Sequence, residues 1–272
     1  MPFYDQLSQA LTELAYPLIA SWALAMARAL GMIMVTPAFN RLGLTGLIRS
    51  AVAATLSLPL VATTFQMLEA GDGLDTLTMT GLLIKEVMIG VMLGLLFGVP
   101  FWAAEAAGEL IDLQRGSTMA QLLDPMNATE SGVTATMLGI LMVLLFFISG
   151  GFLTLVQGFY YSYQLWPPLA FMPPLSQQGA LALLALLDQV MRIAIVMVAP
   201  LVVALLIADI MLAYLARMSP NLHVFDLSLS IKNLLFAFLV VLYLIFLVPQ
   251  LLGELGSVGD NLSHFSMQQP PG

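Results

Sequence analysis

The stretch NLLFAFLVVLYLIFLVPQLLG, residues 233–253, contains no charged side chain and is long enough to cross a bilayer. A helix needs about 20 consecutive apolar residues to span the hydrocarbon core. Further windows without charge lie at residues 50–68, 87–104 and 131–187. The sequence therefore predicts a polytopic helical membrane protein. An outer-membrane barrel would instead show segments of about 10 residues with alternating polarity.

The composition excludes several classes of function. Of the 272 residues, 60% are hydrophobic and 9% are charged, whereas about 25% are charged in a soluble domain. The eight basic residues form no patch, which argues against binding of nucleic acid. The chain has no cysteine, so it has no disulfide and no thiolate metal site. No catalytic or metal-binding spacing is present, and we expect no enzyme activity, no cofactor and no metal.

The apolar residues fall into six segments, which predict an all-α fold with proline-broken helices. The fifth segment is too long for one straight span, and Pro200 is expected to kink or divide it. The tail, residues 253–272, is polar and contains glycine and proline, so it is predicted to be disordered. The six segments lie near residues 15–39, 44–65, 79–107, 133–157, 178–216 and 234–252.

Lysine and arginine are unevenly distributed among the connectors. Arg41 and Arg49 flank the first connector, Arg115 lies in the third, and Arg217 and Lys232 bracket the fifth. The positive-inside rule then places these connectors in the cytoplasm and both termini on the other side.

Several ionisable residues lie inside apolar segments, where charge is costly. Arg28 and Asp209 are expected to meet partners on other helices. Lys85 is expected to extend toward an interface. Asp188 and Arg192 are four residues apart, a spacing that favours an ion pair within one helix.

Two further patterns lie on the third segment. Gly90, Gly94 and Gly98 recur every four residues, which favours close helix packing within the chain over homodimerisation. A charged face follows, and we expect it to reach aqueous surroundings; it consists of Glu105, Glu109, Asp112 and Arg115.

An ordered set of motifs identifies a family. The first half of the chain contains KEV at 85–87, VPFW at 99–102, Gly108, IDLQRG at 111–116 and DP at 124–125. The second half contains RMSPNLHVF at 217–225 and LSLSIK at 227–232. Over nearly its whole length the chain resembles the T component of the type III secretion export apparatus, the SctT family that includes YscT and SpaR. This family is the virulence counterpart of the flagellar protein FliR.

The resemblance implies a subunit of the export gate, an assembly of five R-type, four S-type and one T-type chains. This assembly forms the entry portal for unfolded substrates in the bacterial inner membrane, at the base of the needle complex. Residues 1–177 would be R-like, and residues 178–252 would form an S-like helical hairpin. The implied partners are R-type and S-type subunits, the U-type switch protein, inner rod or needle-adapter proteins, and secreted substrates in transit.

The resemblance also implies roles for two connectors. The connector at 109–131 would be the channel plug, with Arg115 and either Asp112 or Asp124 as a latch. Without the resemblance, a polar cytoplasmic turn would be the simpler interpretation. The predicted plug residues are Asp112, Gln114, Arg115, Gly116, Met119, Leu122, Leu123, Asp124, Pro125 and Met126. The predicted partner-contact residues are Arg217, Pro220, Asn221, Phe225 and Lys232.

The alternative function is a small-solute transporter or an ion channel. Such a protein is expected to contain inverted repeats and paired charges near the midplane of the membrane. The sequence shows no convincing repeat, and its charges cluster at connectors.

Overall fold

The computed structural model describes residues 2–69, 75–116, 132–170, 177–218 and 224–267. Its side chains are described except at 2–14, 177–184, 186–187, 224–226 and 259–267. These ranges contain eight helices and no strand. The helices are α1 Pro2–Val35, α2 Pro37–Arg41, α3 Gly46–Glu69, α4 Thr76–Arg115, α5 Val133–Ile148, α6 Gly151–Leu165, α7 Gln177–Met218 and α8 Val224–Met267.

The predicted all-α membrane fold is confirmed. Five helices among the described residues are long and apolar enough to cross a membrane, and α5 with α6 makes a sixth if the pair counts as one span. The break between α5 and α6 was not predicted. It lies at Ser149 and Gly150, where Gly150 has a φ of +83° that glycine adopts without steric cost.

Proline does not end the long helices. Pro200 lies inside α7, so this helix is not divided there, and α4 continues through Pro100 in the same way. A proline removes one backbone donor, but all other carbonyls and N–H groups keep their helical partners. Because the hydrocarbon core offers no water to those groups, the helix continues beyond the proline.

The predicted disorder of the tail is wrong for residues 253–267. Helix α8 continues through this segment to Met267, and residues 268–272 lie outside the described residues. The polar composition suggested disorder, but the apolar run that precedes it already supplies the helical nucleus. Extending an existing helix adds one hydrogen bond for each residue that is fixed.

The chain forms two compact units, each built from separate segments. Unit 1 consists of Met1–Gly98, Phe152–Leu184 and Gly259–Gly272, and unit 2 of Val99–Gly151 and Ala185–Val258. Neither unit coincides with the predicted boundary after residue 177. The division into R-like and S-like parts rests on the family resemblance and stays a prediction.

In unit 1, glycines bring α1 and α4 into backbone contact. A Cβ atom at Gly31 would lie 2.5 Å from the carbonyl oxygen of Val87, and one at Gly94 would lie 2.7 Å from that of Met32. A Cβ at Gly90 would overlap the carbonyl oxygen of Arg28. The predicted packing role of Gly90 and Gly94 within the chain is thus confirmed. Gly98 is buried on the same helix.

In unit 2, α5 packs along the second half of α4, and α7 and α8 form an antiparallel pair. The rings of Phe101 on α4 and Phe146 on α5 are 5.3 Å apart in an edge-to-face arrangement. The Tyr243 hydroxyl of α8 donates to the carbonyl of Met197 on α7 at 2.8 Å. These contacts place the ends of α4, α5, α7 and α8 within reach of one another.

Candidate functional site

The site lies where the chain leaves α4 and re-enters α5. Gly116 follows the last residue of α4, has a φ of +80°, and donates its N–H to the Leu113 carbonyl at 3.1 Å. A glycine in this left-handed conformation is a common helix terminator. Gly132 is the N-cap residue of α5 and has no side chain to cap it. We call residues 117–131, which join these two glycines, the connector; they lie outside the described residues.

Asp112 of α4 caps α5 in place of Gly132. Its Oδ2 accepts the N–H of Thr134 at 2.8 Å and that of Ala135 at 3.4 Å, and its Oδ1 accepts the Thr134 hydroxyl at 2.6 Å. The first N–H groups of a helix have no partner within it. A carboxylate at this end also interacts favourably with the helix dipole. Asp112 therefore stabilises the start of α5 through both effects.

Two glycines provide the space for this contact. A Cβ at Gly108 would lie 2.5 Å from the backbone nitrogen of Ala135, and a Cβ at Gly132 would overlap the carboxylate of Asp112. Side chains larger than hydrogen at either position would force α4 and α5 apart. Gly108 and Gly132 are thus steric requirements of the cap.

Glu109 and Arg115 bind on either side of Asp112. Glu109 Oε1 accepts the N–H of Gly132 at 2.8 Å, and Arg115 Nη2 donates to Asp112 Oδ1 at 2.6 Å. The Arg115 guanidinium also lies 4.6 Å from the centroid of the Phe236 ring, within cation–π distance. The expectation that this face reaches water is wrong for Asp112, whose side chain is fully buried.

A second set of contacts joins the end of α4 to α7 and α8. Lys232 Nζ lies 3.0 Å from Asp209 Oδ1 and donates to the main-chain carbonyl of Gln114 at 3.1 Å. The Gln114 side-chain amide donates to Asp209 Oδ2 at 3.1 Å. The three residues thus form a closed triangle, and Asp209 has the partner on another helix that the sequence predicted. We refer to the whole group as the stem clamp: Glu109, Asp112, Gln114, Arg115, Asp209 and Lys232.

A separate charged cluster lies in unit 1, around Arg28. The guanidinium forms two bonds with the Glu86 carboxylate at 2.6 and 3.0 Å, and it donates to the Ser162 hydroxyl at 2.9 Å and the Trp166 carbonyl at 2.9 Å. It also stacks 3.8 Å from the centroid of the Tyr163 ring. Arg28 and Glu86 are fully buried, which confirms that Arg28 meets partners on other helices.

The expectation for Lys85 is wrong. Its ammonium does not extend to an interface but is buried, 2.9 Å from Glu86 Oε1. It donates to the carbonyls of Pro167, Pro168 and Ala170 at 3.0, 2.6 and 2.9 Å. These carbonyls satisfy its three N–H groups, so the cation does not need water.

Asp188 and Arg192 do not form the predicted ion pair among the described residues, and both side chains are exposed. Exposed charges on a helix are solvated individually, and the pairing energy at this spacing is at most about 0.5 kcal/mol. This small gain does not fix two long side chains in one geometry.

The predicted site residues fall into three groups. Asp112, Gln114, Arg115, Gly116 and Lys232 come together in or beside the stem clamp. Arg217 is exposed in the last turn of α7. The remaining residues lie outside the described part of the chain, with Phe225 on α8 but its side chain not described: Met119, Leu122, Leu123, Asp124, Pro125, Met126, Pro220, Asn221 and Phe225.

Sequence reasoning missed the roles of Gly132 and Thr134. The available signal was a glycine directly before an apolar run, at the end of a polar stretch. That signal indicates a helix start, but the capping carboxylate lies more than twenty positions earlier in the chain.

The fold and the clamp define a class: a polytopic helical membrane protein in which charged side chains tie the ends of a connector to neighbouring helices. Comparison with known proteins then gives the family. The profile of bacterial export proteins, family 1, matches residues 19–258, and the chain belongs to this family. It is an export-apparatus protein of the T type, related to FliR, as the motifs predicted.

The chain is similar to individual proteins of known role. It is 32% identical over 229 residues to Yop proteins translocation protein T of Yersinia pestis, covering 83% of this chain and 86% of that protein. It is 31% identical over 226 residues to surface presentation of antigens protein SpaR of Salmonella typhimurium strain LT2, covering 83% of each. It is 29% identical over 206 residues to flagellar biosynthetic protein FliR of Pectobacterium carotovorum, covering 75% and 76%.

Proposed function

We propose that this chain is the T-type subunit of a type III export gate and that its connector closes the gate when no substrate is passing. The gate lies in the bacterial inner membrane at the base of the needle complex. In this assembly one T-type chain joins five R-type and four S-type chains. Support comes from the family and from the membrane-spanning helices.

The observation that carries the plug role is the attachment of both connector ends to α4. The chain leaves at Gly116, directly after Arg115, and returns at Gly132, whose N–H binds Glu109. Asp112 lies between these points and binds Arg115 on one side and the start of α5 on the other. A stopper needs fixed ends, because otherwise it would drift out of the channel.

The composition of the connector suits a stopper that must also yield. Methionine and leucine form an apolar surface, and methionine adapts its shape to irregular neighbours. The ends are held by ion pairs and hydrogen bonds, which break and re-form one at a time. The stopper residues in this proposal are Met119, Leu122, Leu123 and Met126.

The turn between α7 and α8 is the proposed contact surface for the S-type subunits and the U-type switch protein. Arg217 and Met218 end α7 with exposed side chains. Lys232 was predicted to join this surface, but its side chain is only 12% exposed and binds Asp209. The proposed surface therefore centres on Arg217 and the turn that follows it. Inner rod or needle-adapter proteins and secreted substrates are the proposed partners on the channel side.

The plug role is tested by removing the apolar surface of the connector without changing its length. The four stopper residues, Met119, Leu122, Leu123 and Met126, are all replaced by serine in the assembled complex. We expect normal assembly and an increased ion conductance of the closed gate, measured in membranes that contain no substrate.

A matched control keeps the apolar residues and replaces polar ones in the same connector, namely Gln121→Ser, Asn127→Ser and Thr129→Ser. This control should stay as tight to ions as the natural complex. A four-serine variant that assembles and is equally tight contradicts the plug role.

A further inference from the structure

Helix α8 contacts each of the last residues of α4. Lys232 binds the carbonyl of Gln114 at 3.1 Å, and Phe236 lies under the guanidinium of Arg115. A Cβ at the next residue, Gly116, would lie 3.0 Å from a methyl carbon of Leu229.

Spacings of three and four place Leu229, Lys232 and Phe236 on one face of α8. This face therefore lies along the end of α4 at the point where the connector begins. Any movement of α8 relative to α4 changes the surroundings of Gly116.

Helix α7 is tied to the same point. Asp209 binds Lys232 with one carboxylate oxygen and the side-chain amide of Gln114 with the other. Each of the two helices thus holds Gln114 through a polar side chain. An ion pair between α7 and α8 alone would not require Gln114, whereas the observed triangle connects both helices to α4.

The helices α7 and α8 are less enclosed than the helix they hold. The protein buries 56% of the residues in the most apolar window of α4, but only 39% in that of α7 and 17% in that of α8. Elements with few buried contacts move at lower cost in free energy. Arg217, near the turn, is eight residues from Asp209, which corresponds to roughly 12 Å along the helix.

From these contacts we infer that Lys232 and Asp209 are positioning residues of the gate. Acting through Gln114, they hold the last turn of α4, and with it the start of the connector, in register with α7 and α8. A partner subunit that displaces the turn between α7 and α8 would break the triangle and release the connector. The inference rests on the proposed plug role, because it assigns the control of that plug.

The test uses the full assembled complex with a single cysteine at Ser117, the first residue of the connector. The natural chain has no cysteine, so labelling by a maleimide reports this position alone. Lys232→Met removes the bonds to both Asp209 and Gln114. We expect the labelling rate to rise by about tenfold or more, since a charged hydrogen bond is lost, and the ion leak to rise at unchanged assembly.

Two further variants separate positioning from a general effect of charge. Arg192→Met removes an exposed cation from α7 and should change neither readout. The exchange Asp209→Lys with Lys232→Asp restores an ion pair between α7 and α8 but leaves no donor for the Gln114 carbonyl. We expect this exchange to behave like Lys232→Met.

Each outcome has one meaning. Natural labelling and leak in Lys232→Met overturn the inference, and so does full recovery of both in the exchange variant, because the link to α4 would then be irrelevant. Faster labelling without a leak supports the positioning role and overturns the plug role. The two proposals therefore fail separately.

Discussion

Replacing Asp112 by asparagine removes the charge that holds the start of α5 while keeping the size of the side chain. Asp112 makes three bonds of 2.6 to 2.8 Å, one to Arg115 and two to Thr134, and it is fully buried. Removing one partner of a buried ion pair costs about 3–5 kcal/mol. Asparagine retains one acceptor oxygen, so we expect the lower end of this range, about 3 kcal/mol.

Hydrogen exchange measures this loss where it occurs. The amides of Thr134 and Ala135 are bonded to Asp112 itself and exchange only when the cap opens. A loss of about 3 kcal/mol in the free energy of opening accelerates their exchange on the order of a hundredfold, since 1.4 kcal/mol corresponds to tenfold. The measurement is made by mass spectrometry on a peptide that contains the first turn of α5.

The control is Asp188→Asn, which neutralises an exposed carboxylate on α7 and should leave the exchange unchanged. If Asp112→Asn stays within about threefold of the natural protein, the cap does not hold α5 and the reasoning is refuted. The same follows if both variants accelerate exchange equally, because the effect would then come from net charge.

Two further predictions concern unit 1. Gly90→Ala places a methyl group on the carbonyl of Arg28 and should cost about 1–3 kcal/mol, seen as a lower melting temperature, whereas Gly253→Ala, in open space, should be neutral or stabilise by up to about 1 kcal/mol. Lys85→Met removes the donor from three carbonyls of the 166–170 turn, each of which costs about 1–3 kcal/mol when buried without a partner. Limited proteolysis should then cut this turn faster than in the natural protein, and an unchanged rate would show that Lys85 does not hold it.

Hydropathy predicted the number and order of the helical segments because the bilayer sets their length. Helix ends were less predictable. Helix α8 continues to Met267 although its last residues are polar, since an existing helix extends at low cost. The break at Gly150 had no clear signal, because Gly151 beside it and other glycines in the same apolar segments are helical.

The residues of the stem clamp were partly identified, but their roles were not. Asp112 and Arg115 were named as a possible latch, and the structure shows their ion pair. Capping of α5 by Asp112 depends on the close approach of two helices at Gly108, which spacing along one helix does not reveal. Lys85 was misplaced for the same reason, because its partners are backbone carbonyls more than eighty residues away.

The two charged clusters differ in a way that bears on their roles. Arg28 and Glu86 are completely enclosed, so breaking their pair would leave charges in an apolar medium at a cost of several kcal/mol. In the stem clamp, Asp209 is 35% exposed and Lys232 is 12% exposed. Water replaces part of what a separated pair loses there, and the cost of opening is correspondingly smaller.

A gate needs one kind of cluster to keep its helices together and another kind to release a connector on demand. The enclosed cluster of unit 1 meets the first requirement, because its ions have no accessible alternative to one another. The partly exposed triangle of Gln114, Asp209 and Lys232 meets the second, since its members exchange protein partners for water at a modest cost. Variants that break the triangle should therefore change opening while assembly is preserved, and variants that break the Arg28 pair should lower assembly itself.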